Sequence, residues 1–261
     1  MPSNLVAATV RQGLFTRIVG RRLLYYPELS STMDEAARLG EGDAEEGAVV
    51  VAEVQTAGRG RQGRSWVSQP GNILVSVLFR PTLEALPFIS IIGGIAAARA
   101  VRKVTGLNPK IKWPNDLLIG GRKAAGILAE SAIAGDTVWY AVLGVGINVS
   151  LDMDTGQAGE ISSFATSVNA AAGWEVPRED LLRQFLMDLD ALYLELGQGK
   201  SPIEEWQDLL ETTGQRLMAT WGDDTYTGVA EGTDELGNLL LRQDDGSLLT
   251  LTAGDVTLTD H

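Results

Sequence analysis

No cysteine occurs in the 261 residues, and the one histidine is His261, the last residue. The first absence excludes disulfides, thiolate nucleophiles and cysteine-held zinc. The second removes Ser-His-Asp catalysis, histidine metal sites and histidine general bases, because a terminal residue frays readily. Any catalysis must therefore run on Lys, Arg, Asp, Glu, hydroxyls, amides or a bound hard cation. Long apolar runs are missing too: an uncharged, mostly apolar stretch such as 88–98 is far short of a membrane span. Arg11 and Arg17 interrupt the N-terminal apolar residues before a secretory core can form, so the expectation is a cytoplasmic protein with no membrane partner. Positive charge is scarce, with 21 basic against 34 acidic residues and a formal net charge of −13. That balance argues against broad docking on nucleic acid or anionic lipid.

Against this acidic background, Gly58-Arg59-Gly60-Arg61-Gln62-Gly63-Arg64 places three arginines within seven positions. Glycine lets the backbone take positive φ and approach a ligand closely, while arginine forks suit carboxylate or phosphate. The segment reads as an anion-binding loop. It lacks the Gly-Lys-Ser/Thr end of a P-loop. A solvated turn and a nucleic-acid-binding tail are the competing readings. A strong strand before the loop, and Arg64-Ser65-Trp66 leading into another, favour a phosphate clamp.

Leu5, Val10, Leu14 and Ile18 predict a helix over 4–19, and 22–26 reads as a short strand ending at Pro27. Ser30-Ser31-Thr32 before Met33-Asp34-Glu35 predicts an N-cap with acids in the first helical turn. The run 48–54 is apolar on both faces, hence central in a sheet. Alternating Ile73, Val75, Val77 and Phe79 predict a strand with one core-facing side. A helix fits 90–105, strands fit 125–130 and 138–145 around Ala134-Gly135-Asp136, and 178–196 is the strongest helix, followed by a shorter one through Ile203, Trp206 and Leu210. Beyond Gly214, short strands at 216–220, 226–231, 238–242, 247–252 and 256–259, with a hairpin signal at Asp245-Gly246, predict a small β-barrel. The expected division is 1–212 and 213–261.

Three further constellations bear on chemistry. In Lys110-Ile111-Lys112-Trp113-Pro114-Asn115-Asp116, Pro114 pushes Trp113 into extended geometry and Asn115-Asp116 favours a turn. Such a corner presents an amide and a carboxylate to Mg²⁺ or a ribose; the alternative is a capping turn with a half-buried Trp. Lys123 stands at the entrance of a strand whose small residues, Ala125 and Gly126, leave room for a ligand, although an exposed edge charge reads equally well. In Gly144-Val145-Gly146-Ile147-Asn148, two glycines weaken a strand unless something must approach its backbone, or unless a bulge sits there. Asn148 offers both donor and acceptor to a purine edge.

Taken in order, the arginine loop with Ser65-Trp66, then Lys112-Trp113-Pro114-Asn115-Asp116, Lys123-Ala124-Ala125-Gly126-Ile127-Leu128 and Gly144-Val145-Gly146-Ile147-Asn148 closely resemble the biotin protein ligases. The likeness is strong over 30–150 and weak in the C-terminal β region. It implies an α+β fold of the class II synthetase-like biotinyl/lipoyl ligase type: a mixed β-sheet flanked by helices, with a small C-terminal SH3-like β-barrel. It implies an ATP-dependent ligase that makes biotinyl-5′-AMP and transfers biotin to a lysine of a biotin carboxyl carrier protein domain. By the same resemblance Lys123 and Arg59 are the catalytic residues. Ser31 and Thr32 would face the biotin ring, joined in the biotin site by Gln55, Arg59, Gly60, Arg61, Lys123 and Gly126. ATP would meet Arg59, Arg61, Arg64, Trp66, Asn115, Lys123 and Asn148, with Asn115 and Asp116 beside Mg²⁺.

Three positions depart from the family pattern. Met33 stands where many relatives carry Asn, Gln62 replaces a common arginine, and the tail lacks a terminal arginine. Fewer than 30 residues precede Ser30, so no DNA-binding repressor function is expected. The resemblance allows a homodimer paired through sheet edges. The alternative readings are a lipoate or octanoate ligase or transferase and, less favoured, a non-catalytic nucleic-acid-binding module.

Overall fold

Two β-branched runs, 49–55 and 73–79, occupy the middle of the protein because apolar layers cover both their faces. They are β2 (Val49–Gln55) and β3 (Ile73–Phe79) of a seven-stranded sheet that also contains β1 (Leu23–Leu29), β4 (Lys110–Lys112), β5 (Asp116–Ile119), β6 (Arg122–Ala134) and β7 (Thr137–Ile147). The order is β1-β2-β3-β7-β6-β5-β4. Only the β1–β2 pair is parallel, which makes the sheet mixed. The computed structural model describes residues 5–151, 161 and 163–258; the expected strand end at Thr259 and the terminal His261 lie outside them.

Period-two alternation sends each strand's side chains to two different cores. One face packs Val49, Val51, Ile73, Val75, Val77, Leu143, Val145 and Ile147 against α3 (Ile89–Thr105) and α5 (Arg178–Gly197). The opposite face packs Ala48, Val50, Leu78, Tyr140 and Val142 against Met33, Ala36 and Leu39 of α2 (Thr32–Glu41). β3 is therefore buried along its whole length instead of on one side as expected. Ser31 caps α2 as expected, accepting from the Met33 and Asp34 amides.

Several boundaries differ from the sequence reading. The predicted helix over 4–19 shrinks to α1 (Ala7–Arg11). The chain after it is held open by Asp190, whose carboxylate accepts the N–H groups of Arg17, Ile18 and Val19. β1 runs through Pro27 because it is an edge strand, where a missing donor can face away from the sheet. A short helix, α4 (Val168–Ala172), was not foreseen; α6 (Ile203–Leu209) was.

The C-terminal strands β8 (Arg216–Trp221), β9 (Asp224–Thr233), β10 (Leu239–Gln243), β11 (Leu248–Leu251) and β12 (Asp255–Leu258) form a second, antiparallel sheet ordered β11-β10-β9-β8-β12. Trp113 ties it to the first. Its ring is buried, not half-buried, and its Nε1 donates to the Gly237 carbonyl at 3.0 Å. The Trp113–Pro114 peptide is cis. No helix among the described residues is long and apolar enough to cross a membrane.

Candidate active site

The same alternation that builds the two cores also opens a trough. On the α2 side of the sheet, β7 carries Gly144 and Gly146, opposite Ser76 and Leu74 of β3 and opposite Leu128 and Gly126 of β6. Small residues on three adjacent strands leave the sheet surface uncovered. Two side chains lean in from outside. A Cβ on Gly144 would lie 2.4 Å from Met33 Sδ, and one on Gly146 would lie 2.4 Å from the Trp66 indole. The register of β7 against β6 is unbroken through both glycines, so close approach explains them and a bulge does not. The Trp66 ring also covers Gly126, filling part of the room expected for a ligand there. Its Nε1 is buried and has no hydrogen-bond partner among the described residues.

A cavity of about 350 Å³ lies over the trough, within the range of small-ligand sites. The lining includes Ser31, Thr32 and Gln55 at one end, Trp66, Gly126 and Gly146 in the middle, and Arg59, Arg61, Arg64, Lys123, Asn115 and Asn148 around the rest. Every residue expected to bind biotin or ATP lines it, whereas Asp116 lies behind Lys123 and does not. At the hydroxyl end, Thr32 Oγ1 and the Thr32 N–H both donate to Gln55 Oε1, at 2.9 and 2.7 Å. Ser76 Oγ donates to Thr32 Oγ1 at 2.8 Å.

The arginine loop folds as a small hairpin: Gly60 N–H donates to the Arg64 carbonyl and Trp66 N–H to the Gly58 carbonyl. Gln62 and Gly63 take φ of +54° and +71° at its tip. Each guanidinium rests on a carboxylate. Arg59 pairs with Asp34 at 2.5 Å and Glu130 at 3.3 Å. Arg64 pairs with Asp255 at 2.9 Å, and Arg61 donates to the Gly254 carbonyl at 3.0 Å. Thus β12 of the second sheet holds the loop. The hydrogen bond to Asp34 pushes the Arg59 pKa above its ordinary value, whereas burial lowers that of Arg61. Both remain cations at any physiological pH.

Lys123 owes its direction to a bulge. Leu117 pairs with Ala125 and Leu118 with Lys123, so Ala124 is the extra residue, and such insertions re-aim a neighbouring side chain. The Lys123 backbone also pairs outward, its N–H donating to the Phe164 carbonyl at 2.8 Å. Its ammonium sits 2.6 Å from Asp116 and 5.6 Å from the centre of the Trp66 ring. It is therefore not an ordinary edge charge. Asp116 is engaged by Lys123. Asn115 donates to the Ile127 carbonyl and accepts from Arg61. No cluster of three metal-ligating side chains occurs among the described residues, so Asn115 and Asp116 as they stand do not form a protein cage for Mg²⁺. Asn148 is buried, with its Nδ2 donating to the Thr166 carbonyl at 3.3 Å.

Sequence reasoning missed Ser76, Asp34, Glu130 and Asp255. Asp34 and Glu130 carried a weak signal as acids flanking the basic motifs. Ser76 was the one polar residue in an apolar strand, and Asp255 had no local signal at all.

Residues 25–148 match the Biotin/lipoate A/B protein ligase family, and 213–258 match the Biotin protein ligase C terminal domain. Among curated relatives, the bifunctional ligase/repressor BirA of Bacillus subtilis is 35% identical over 250 residues, covering 94% of this chain and 77% of that protein. The biotin–[acetyl-CoA-carboxylase] ligase of Paracoccus denitrificans is 34% identical over 218 residues, covering 81% of this chain and 90% of that protein. The structure of the Aquifex aeolicus biotin protein ligase in complex with biotin and ATP superposes with a TM-score of 0.76 at 27% identity, covering 92% and 100% of the two chains. In sequence and in fold, the chain belongs to the biotin protein ligase family.

Proposed function

We propose that this protein activates biotin with ATP and transfers it to a lysine of a biotin carboxyl carrier protein domain. One observation carries the reading: a single cavity places Lys123 and three loop arginines beside a hydroxyl-and-amide end, in a chain without a usable histidine or thiol. Joining a carboxylate to a triphosphate brings two anions together, a step helped by alignment and fixed positive charge more than by a proton shuttle. The biotin carboxylate attacks the α-phosphorus, forming biotinyl-5′-AMP and releasing pyrophosphate. Lys123 and Arg59 act on the charge that develops between the two substrates. The carrier lysine then attacks the acyl carbon, and AMP leaves. The hairpin 58–66 covers the adenylate and keeps water from it.

Ser31, Thr32 and Gln55 take the ring of the acid. Trp66, Asn148 and Asn115 take the nucleotide side, with Arg61 and Arg64 on its phosphates. Magnesium enters with the phosphates of ATP, since Asn115 and Asp116 are already engaged within the protein. In this reading residues 1–212 carry catalysis, 213–261 form an SH3-like domain, and the enzyme works in the cytosol. No specific DNA partner belongs to the proposal, in keeping with the net charge of −13; a biotin-dependent gel shift on a defined sequence would overturn that part.

The test follows pyrophosphate and acyl-adenylate with ATP, Mg²⁺ and either biotin or lipoate. Biotin alone should support adenylate formation, and Lys123→Ala should slow it by about 100-fold or more. Equal turnover with lipoate, or none with either acid, sinks the reading.

A further inference from the structure

The hydroxyl end of the cavity has a hydrogen-bonding polarity that can be deduced atom by atom. The Thr32 N–H lies 2.7 Å from one atom of the Gln55 amide, and an N–H must face an acceptor, so that atom is Oε1. The same Oε1 is 2.9 Å from Thr32 Oγ1. A carbonyl oxygen cannot donate, so the proton in this contact is that of Thr32. Thr32 then has none left for Ser76, 2.8 Å away, and Ser76 must supply that one. The chain of donors runs Ser76 to Thr32 to Gln55. What Thr32 has left for a ligand is one lone pair.

Ser31 is wired the other way. Its oxygen accepts from the Met33 and Asp34 amides at 3.2 and 3.5 Å, and its proton meets no acceptor among the described residues. Two adjacent hydroxyls, both buried and both lining the cavity, thus offer opposite groups. Ser76 is wholly buried at the centre of β3, does not line the cavity and makes its side-chain hydrogen bond to Thr32, which does.

We propose that Ser76 is a positioning residue that locks Thr32 as an acceptor beside Ser31 as a donor, so that the pair reads the neighbouring N–H and C=O of a cyclic urea. This rests on the biotin reading and deepens it. Biotin's ureido ring presents that N–H and C=O side by side, whereas the dithiolane of lipoate presents neither. Selection of the acid therefore begins one layer behind the cavity wall.

The experiment is a double-mutant cycle on the full chain with Ser76→Ala, Thr32→Val and both together, reading biotin and ATP binding by calorimetry. Losing one hydrogen bond should weaken biotin about 5-fold in Ser76→Ala and about 10-fold in Thr32→Val. If Ser76 works through Thr32, the double variant should bind within about twofold of Thr32→Val alone. ATP affinity should stay within about twofold, and biotin KM should rise with kcat held. Multiplied effects, near 50-fold in the double variant, would overturn the proposal, as would unchanged biotin binding in a folded Ser76→Ala protein. Should Ser76→Ala fail to fold, Ser76→Cys, a weaker donor of similar size, runs the same cycle with a smaller loss expected, and multiplied effects with Thr32→Val would again overturn the proposal. A wild-type protein that binds lipoate as tightly as biotin fails the functional reading itself, and the Ser76 proposal with it.

Discussion

Arg178 and the arginines of the 58–64 loop are the same side chain held in opposite ways. Arg178, the first residue of α5, reaches across to β2 and forks onto Glu53 at 2.6 and 2.8 Å, also donating to the Asn72 carbonyl. Both side chains of this pair are more than 90% buried. Arg59 and Arg64 meet their carboxylates with 39% and 60% of their side chains exposed. A buried pair has lost its water, so removing one partner strands a charge in a poor solvent. An exposed pair has water to fall back on, and its carboxylate is exchangeable. The Arg178 pair is therefore a bolt between helix and sheet. The loop pairs are exposed contacts in which Asp34, Glu130 and Asp255 hold the arginines within reach of water.

Breaking the bolt should give the largest effect. Arg178→Ala is expected to lower stability by about 3–5 kcal/mol, read as the midpoint of urea unfolding, and pairing Arg178→Met with Glu53→Leu should restore most of it. A loss below about 1 kcal/mol would place this pair in the exposed class instead. Next comes Arg59→Ala, which should cut adenylate formation about 100-fold while leaving the unfolding free energy within about 0.5 kcal/mol. Loss of stability matching the loss of rate would make Arg59 a structural residue like Arg178. The smallest effect is expected from Asp255→Asn, which releases Arg64. It should cost under about 1 kcal/mol, and less still in 1 M salt, where screening acts within about 3 Å. A larger, salt-insensitive cost would mean that the second sheet braces the loop as firmly as Arg178 braces α5.

The contrast also explains which features were legible beforehand. Helices with a continuous apolar face, such as α3 and α5, and strands with runs of Val and Ile announce themselves, because burial depends on local periodicity. The 4–19 helix did not survive because a distant carboxylate, Asp190, offers the Arg17, Ile18 and Val19 amides better partners than a helical turn does. Pro27 read as a strand end, yet edge placement let the strand continue, and edge placement is invisible in the chain itself. In the site, Gly144 and Gly146 signalled close approach correctly. That Met33 and Trp66 are what approaches them could not be read from the chain, because both arrive from segments 80 or more positions away.

The amino-acid sequence alone determined the chemistry open to this protein. With no cysteine and one terminal histidine, positive charge and hydrogen bonds were what remained, and the motif order from Gly58 to Asn148 named the family. Tertiary structure decided the direction of those groups. Strand pairing brought Ser76 behind Thr32, a bulge turned Lys123 into the cavity, and β12 delivered Asp255 to the arginine loop. Composition limits which atoms are present, whereas hydrogen bonds and ion pairs act over a few ångströms, a scale that only the folded chain sets.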